Sequence, residues 1–241
     1  MTTLRPHILV IHGALGSAAQ MQPVADRLAS LGDPVLVELP GHGETPLEPG
    51  ASSSIEAYMD ALAMQVARGA SAPDAKPPVV FGYSMGGYVA LALEAREPGT
   101  FGAVLTLGTK FEWTPEIASR EAGRLDPVII EQKVPQFAVA LRKRHLGAGG
   151  WQLNLRNTAG LLLALGDAPT LTAESLARVR IPVVVAVGSR DDTVTAAEAE
   201  RAAGLMGDAS AAVIDDAPHP IERVPPADIE RLLRGLLARV R

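Results

Sequence analysis

The segment VFGYSMGGYVALALEA, residues 80–95, begins like a buried β-strand and ends like an α-helix. Between the two patterns lies Ser84, with Gly82, Gly86 and Gly87 close on either side. Glycine has no Cβ, so these positions allow a sharp turn with close backbone contacts. A G-x-S-x-G pattern between a strand and a helix is typical of a nucleophile elbow, in which the turn exposes the serine oxygen. We therefore predict that Ser84 is a catalytic nucleophile; an ordinary tight turn is the alternative.

Short apolar runs alternate with longer helical patterns on both sides of this segment. Several runs are apolar at successive positions, as in VVVAVG, which is typical of parallel strands buried on both faces. The alternation predicts an α/β fold with about six mostly parallel strands flanked by helices. The predicted strands are His7–His12, Val35–Leu39, Val79–Tyr83, Ala103–Gly108, Val183–Gly188 and Ala211–Asp215.

The interval between the fourth and fifth predicted strands is too long for one crossover helix. It contains four helical patterns, at Pro115–Leu125, Pro127–His145, Trp151–Leu165 and Ala173–Val179. We therefore predict a core of residues 1–109 and 181–241, with a small helical cap formed by residues 110–180. The position of this insertion, at the carboxyl end of a strand, suits a cover over a pocket. Additional packing of the core is the alternative.

A nucleophilic serine needs a base, and the base needs a carboxylate to orient it. Among the five histidines, His219 follows the last predicted strand, where this fold type carries its base. Asp191 follows the fifth strand, with Asp192 as the second candidate. Asp215 and Asp216 lie too close to His219 along the chain to reach its ring easily. We predict the triad Ser84, Asp191 and His219.

The oxyanion of an acyl-transfer reaction needs two hydrogen-bond donors. The N–H of Met85, at the predicted helix start, is one candidate, and the N–H of Ala14 in the loop HGALGS is the other. Leu15, in the same loop, is predicted to contact the substrate. A glycine-rich turn without catalytic meaning is the alternative for this loop.

Several functional classes are excluded or disfavoured by composition. The formal net charge of −5 argues against a nucleic-acid-binding surface. The one basic cluster, Arg142–His145, is interpreted as a solvated helix face. The chain has no cysteine, which excludes disulfides and thiolate catalysis. No histidine pair has zinc-ligand spacing and no nucleotide-binding loop occurs, so we expect no metal and no cofactor. Without a signal-like or membrane-spanning segment, we expect a cytoplasmic protein whose partner is a small-molecule substrate.

Five motifs together resemble the α/β-hydrolase superfamily across nearly the whole chain. They are HGALGS, ELPGHGET, GYSMGG, GSRDDTV and APHPIE. ELPGHGET is similar to the D-x-P-G-x-G-x-S loop of that superfamily, with Glu38 in place of aspartate and Thr45 in place of serine. These motifs are most similar to those of small bacterial esterases and of enzymes like the menaquinone-pathway lyase. The resemblance implies the roles given above to Ser84, Asp191, His219, Ala14 and Met85.

Lys110 and Trp113 follow the fourth strand, where the predicted cap begins, so we expect both to face the pocket. A charged Lys110 could select a substrate carboxylate; the alternative is a surface lysine beside a packing tryptophan. The predicted function is a serine hydrolase that cleaves a small carboxylic ester or thioester. A C–C hydrolase or lyase with the same triad, and a non-catalytic small-ligand receptor, are the alternatives. The oligomeric state stays open.

Overall fold

The computed structural model describes residues 5–48, 50–69 and 76–240. Its strands are β1 (His7–Ile11), β2 (Asp33–Val37), β3 (Val79–Tyr83), β4 (Ala103–Leu107), β5 (Pro182–Arg190) and β6 (Asp208–Pro218). All six form one parallel sheet in the order β2-β1-β3-β4-β5-β6. The predicted α/β class and the six parallel strands are therefore confirmed. Residues 1–4, 49, 70–75 and 241, which the predicted core boundaries include, lie outside the described residues.

Ten α-helices surround the sheet in the described part of the chain. They are α1 (Gln22–Leu28), α2 (Ile55–Gly69), α3 (Met85–Arg96), α4 (Pro115–Gly123), α5 (Pro127–Lys133), α6 (Pro135–Arg144), α7 (Trp151–Asp167), α8 (Ala173–Leu176), α9 (Ala196–Gly204) and α10 (Pro226–Leu237). Short 3-10 turns occur at Ala19–Met21 and Ile221–Arg223. Within the described ranges, none of the helices has the length and apolar character needed to cross a bilayer.

Both faces of the sheet are covered, which explains the continuous apolar strands. Leu9 and Val80 pack on the side of α2, α3 and α9. Their chain neighbours Ile8 and Phe81 point the other way, toward α1 and α10. Because successive strand residues face opposite sides, a strand buried on both sides must be apolar at every position. The core is thus two apolar layers separated by the sheet.

The segment between β4 and β5 contains five helices, α4 to α8. Thr114 caps α4 by accepting a hydrogen bond from the Ile117 N–H, and Pro115 follows at the first helical position. The single predicted helix Pro127–His145 is wrong: it is divided into α5 and α6 at Val134, which leaves the helical conformation before Pro135. Proline disfavours a helical residue before it and cannot donate a backbone hydrogen bond. The domain boundary at residues 110–180 stays a prediction.

The basic run at the end of α6 is not a solvated face throughout, so that interpretation is partly wrong. Arg142 and Lys143 are exposed, but the Arg144 side chain is only 15% exposed and His145 is fully buried. The last two residues of the run point toward the loop after β1, where their side chains contact the Leu15 carbonyl. A charge run in sequence does not reveal this change of direction within one helical turn.

The turn between β3 and α3 is as crowded as its glycines predict. A Cβ on Gly86 would lie 2.6 Å from the His12 carbonyl oxygen and 2.7 Å from that of Ile11. A Cβ on Gly82 would lie 2.5 Å from the Gly87 Cα. The first turn of α3 therefore lies directly on the end of β1, at a distance that only glycine allows.

We expect Gly86→Ala to lower the free energy of unfolding by about 1–3 kcal/mol, because the added methyl group meets backbone that cannot move aside. Gly235→Ala is the matched control: Gly235 is also helical, but its added Cβ meets no atom within 4 Å. The control should gain about 1 kcal/mol from higher helix propensity. Urea unfolding of both variants measures the difference, and equal effects would contradict the close packing.

Candidate active site

Ser84 sits at the top of a strained turn at the carboxyl end of β3. Its backbone angles are φ 50° and ψ −116°, a conformation that non-glycine residues rarely adopt. Hydrogen bonds from both sides hold it there. The Ser84 N–H donates to the Leu107 carbonyl (2.8 Å), and the Ser84 carbonyl accepts from the Thr109 hydroxyl (2.8 Å). β4 and the segment after it thus hold Ser84 in this conformation, at the edge of a cavity that it lines.

Asp191 and His219 are joined at the ends of β5 and β6. Asp191 Oδ2 lies 2.8 Å from His219 Nδ1, and the carboxylate is almost fully buried. Its other oxygen accepts the N–H groups of Thr193 (2.8 Å) and Val194 (3.0 Å). With Oδ1 occupied by backbone donors, Oδ2 is fixed toward the imidazole. This arrangement holds the ring with Nδ1–H toward the carboxylate and leaves Nε2 to accept a proton.

The backbone of His219 is also held by the residue that precedes Ser84. The Tyr83 hydroxyl donates to the His219 carbonyl (2.9 Å), and the two rings lie 5.5 Å apart. Burial raises the pKa of the Tyr83 phenol, so the hydroxyl keeps its proton and remains a donor. Because Tyr83 directly precedes Ser84, the serine turn and the histidine loop are tied together by one side chain.

The loop after β1 lies against the serine turn. A Cβ on Gly13 would be 3.0 Å from the Ser84 Cβ, so Ala14 follows at the edge of the site. Met85 is the first residue of α3, and its N–H has no partner within the helix. Leu15 adopts φ 57° and is buried. Ala14, Leu15 and Met85 all line the cavity that contains Ser84 and His219.

This cavity has a volume of about 320 Å³, at the lower end of the range for small-molecule sites. Much of its wall comes from the helices between β4 and β5. The apolar lining residues from this segment are Trp113, Leu125, Phe137, Leu161, Leu162 and Leu165. The insertion thus contributes a largely apolar wall facing the serine.

Each of the three cations that line the cavity has a carboxylate partner. Lys110 Nζ lies 3.3 Å from Glu198 and donates to the Thr193 carbonyl at 3.3 Å. Arg124 lies 2.9 Å from Glu121. Arg144 lies 3.2 Å from Glu222. Each of these cations therefore has an ion-pair partner within the protein.

Three buried histidines meet behind the loop after β1. The ring of His42 lies 4.9 Å from that of His12 and 5.8 Å from that of His145. Burial holds the pKa of His42 well below its ordinary value, and burial lowers the pKa of His145 to about 4. Nearby His12 and Arg144 lower the His145 pKa further, while the Leu15 carbonyl and Glu38 oppose the shift. Both rings are thus neutral near pH 7. Within the described ranges, no three or more His, Asp or Glu side chains are arranged to hold a metal ion.

The structure brings the predicted residues to one edge of the sheet. Asp191, rather than Asp192, contacts His219. Asp192 is exposed, and it does not cap the following helix, α9, because Thr195 does. Lys110 and Trp113 line the cavity, as expected from their position. Sequence patterns do not predict that Arg144 and Glu222 line the cavity, and they indicate no role for Tyr83. His12 is part of the motif HGALGS, so the sequence gives a reason to notice it. No local signal distinguishes His145 from a surface residue.

Comparisons with known proteins agree with this fold. Residues 8–232 match the model of the alpha/beta hydrolase family. The chain therefore belongs to the alpha/beta hydrolase family. It is 29% identical to a pimeloyl-[acyl-carrier protein] methyl ester esterase of Aromatoleum aromaticum, over 96% of this chain and 99% of that protein.

Two solved structures illustrate the fold similarity. NosK from Streptomyces actuosus has a TM-score of 0.78 at 21% identity, covering 98% of this chain and 99% of the other. A thermophilic esterase from Thermogutta terrifontis has a TM-score of 0.76 at 22% identity, covering 98% and 91%. At these identities the likeness concerns the fold.

The buried neutral histidines predict a loss of stability in acid. Unfolded histidine binds a proton below about pH 6.5, whereas folded His145 does so only near pH 4, so the unfolded state binds more protons between these values. The neutral His145 therefore contributes about 1–3 kcal/mol to the free energy of unfolding above pH 6.5, and this contribution is lost as the pH falls toward 4. The free energy of unfolding, measured in urea from pH 7 to 4, should fall less steeply in His145→Gln than in the wild type. His7→Gln, at an exposed position, should leave the slope unchanged; an unchanged slope in His145→Gln would contradict the assignment.

Proposed function

We propose that this chain is a serine hydrolase that cleaves small carboxylic esters or thioesters through an acyl-enzyme on Ser84. Asp191 and His219 complete the triad, and the N–H groups of Ala14 and Met85 bind the oxyanion. The observation that carries the proposal is the 2.8 Å contact between Asp191 and His219 beside the cavity that Ser84 also lines.

The mechanism follows from the hydrogen bonds around the triad. His219 Nε2 removes the proton as Ser84 Oγ attacks the carbonyl carbon, and Asp191 stabilises the imidazolium that forms. The oxyanion binds the two backbone N–H groups. The imidazolium then protonates the leaving alcohol or thiol, and an acyl-enzyme remains. Next His219 activates a water molecule, which releases the acid and restores the Ser84 hydroxyl.

The cavity supports a preference for a small, neutral and largely apolar acyl group. Its wall is mainly apolar, its volume is modest, and its three cations are paired with carboxylates. A substrate carboxylate would lose its hydration without gaining an unpaired cation. In this proposal the helices of residues 110–180 act as a cap, because they supply the wall opposite the serine.

The similarity to a methyl ester esterase supports ester hydrolysis over C–C cleavage, and the protein's family agrees with a hydrolase. The relative's name specifies an acyl-carrier-protein substrate; for this chain we propose only the ester bond as the shared feature.

Replacing the nucleophile tests the proposal. We expect Ser84→Ala to lower kcat for p-nitrophenyl acetate by at least about 10³-fold, because no other group can form the acyl-enzyme. The variant should also lose labelling by a fluorophosphonate. Ser52→Ala, at an exposed loop serine, is the matched control and should keep both the hydrolysis of p-nitrophenyl acetate and the labelling by the fluorophosphonate. Labelling of wild-type Ser84 without turnover on a broad ester panel would argue instead for a lyase or a receptor.

Lys110 provides a second prediction, because its charge is already paired. We expect Lys110→Met to leave the ratio of kcat/KM values for methyl butyrate and monomethyl succinate within about 2-fold, but to lower the free energy of unfolding by about 3 kcal/mol. The cost arises because Glu198, 4% exposed in its side chain, is left without its cation.

The double variant Lys110→Met/Glu198→Gln separates the effect on stability from the effect on ester selectivity. Because it removes the unpaired carboxylate, it should recover part of the lost stability. If Lys110→Met instead reduced only the reaction of the anionic ester, Lys110 would be a substrate-carboxylate ligand.

A further inference from the structure

Two consecutive residues at the end of α6 contact the loops on both sides of the serine. Arg144 Nη1 donates to the Leu15 carbonyl (2.8 Å), and His145 Nε2 lies 3.1 Å from the same oxygen. The other arm of Arg144, Nη2, contacts Glu222 (3.2 Å) in the loop that follows His219. The segment between β4 and β5 therefore contacts both the loop after β1 and the loop after β6 through one pair of side chains.

The role of each His145 nitrogen follows from its partners. The Gly43 N–H can only donate, so the 3.1 Å contact makes Nδ1 the acceptor. In the neutral ring Nε2 then carries the hydrogen, which it donates to the Leu15 carbonyl. The ring is completely buried, so water does not compete for either bond. The Leu15 carbonyl thus receives two donors from outside its own loop.

Leu15 needs such support because of its backbone conformation. Its φ of 57° lies in the left-handed region, which costs a residue with a Cβ about 1–2 kcal/mol relative to the right-handed one. The turn it closes is short: the Gly16 N–H donates to the Gly13 carbonyl at 3.0 Å. Gly13 lies against Ser84 and Ala14 follows it, so the direction of the Ala14 N–H depends on how Leu15 is held.

We propose that Arg144 and His145 are positioning residues, which hold the Leu15 carbonyl so that the Ala14 N–H faces the oxyanion formed at Ser84. Through Glu222, Arg144 also sets the spacing between this loop and the loop of His219. The inference rests on the proposed function, and it assigns the insertion a part in the chemistry besides forming the cavity wall. Misplacing an oxyanion donor weakens a contact made in the transition state, so kcat changes and KM does not.

Two variants of His145 separate positioning from packing. The amide of glutamine reaches about as far as Nε2 and can donate to Leu15, whereas the amide of asparagine reaches only about as far as Nδ1 and can accept from Gly43. We expect His145→Asn to lower kcat for p-nitrophenyl acetate by about 10–100-fold with KM within about 3-fold. We expect His145→Gln to remain within about 3-fold of the wild type.

Arg144 supplies an independent pair. Arg144→Met removes the donors to Leu15 and Glu222 while keeping a long stem, and should lower kcat by about 10–100-fold. Lys143→Met, at the preceding exposed residue, is the matched control and should leave kcat unchanged.

A trifluoromethyl ketone provides the second readout, because it forms an oxyanion on the serine. Its Ki should rise by the same factor by which kcat falls. The proposal is overturned if asparagine and glutamine at position 145 reduce kcat equally, if only KM changes, or if Ki stays constant while kcat falls. Should His145→Asn fail to fold, Arg144→Met decides. Failure of the proposed function is distinguished by Ser84→Ala, whose retained hydrolysis would show that Ser84 is not the nucleophile whatever the other variants do.

Discussion

The close approach of the first turn of α3 to the end of β1 is the constraint on which the site depends. It requires glycine at position 86, because the His12 and Ile11 carbonyls occupy the space of a side chain. Ser84, directly before this helix, has a backbone conformation that is unfavourable for a residue with a Cβ. The Ser84 N–H donates to the Leu107 carbonyl, and the Ser84 carbonyl accepts from the Thr109 hydroxyl; these two hydrogen bonds hold the residue in that conformation. The neighbouring strand and the segment after it thus stabilise the strained serine, which lines the cavity.

The orientation of the imidazole depends on backbone groups as much as on side chains. Asp191 presents one oxygen to His219 because two N–H groups occupy the other, and Tyr83 holds the histidine carbonyl from the serine side. Asp191 and its two N–H donors follow β5, whereas Tyr83 is the last residue of β3. Parallel strands bring their carboxyl ends to one edge of the sheet, so residues distant in the chain meet there without a dedicated scaffold.

The helices between β4 and β5 contact the core at its functional edge. They provide an apolar wall, and at the end of α6 they place Arg144 and His145 on the Leu15 carbonyl. The buried His145 lies in a group of three buried histidines, and burial lowers its pKa and that of His42, so acid should weaken this contact together with the fold. Lys110, in the segment after β4, forms an ion pair with Glu198 of α9 and also lines the cavity.

The sequence alone determined the α/β class, the six parallel strands, and the candidates Ser84, Asp191 and His219, because apolar strands, glycines and polar residues after strand ends are local signals. Sequence patterns did not predict the features that depend on contacts with distant segments. Nothing local to Arg144 and His145 indicates that they turn inward, and nothing around Lys110 indicates that Glu198, distant along the chain, neutralises it. Asp191 is the first choice from the sequence and Asp192 the second, and the structure shows that the Asp191 carboxylate faces the imidazole while Asp192 is exposed. Tertiary structure decided these points, since burial and charge pairing are properties of contacts between segments, whereas strand and turn patterns belong to single segments.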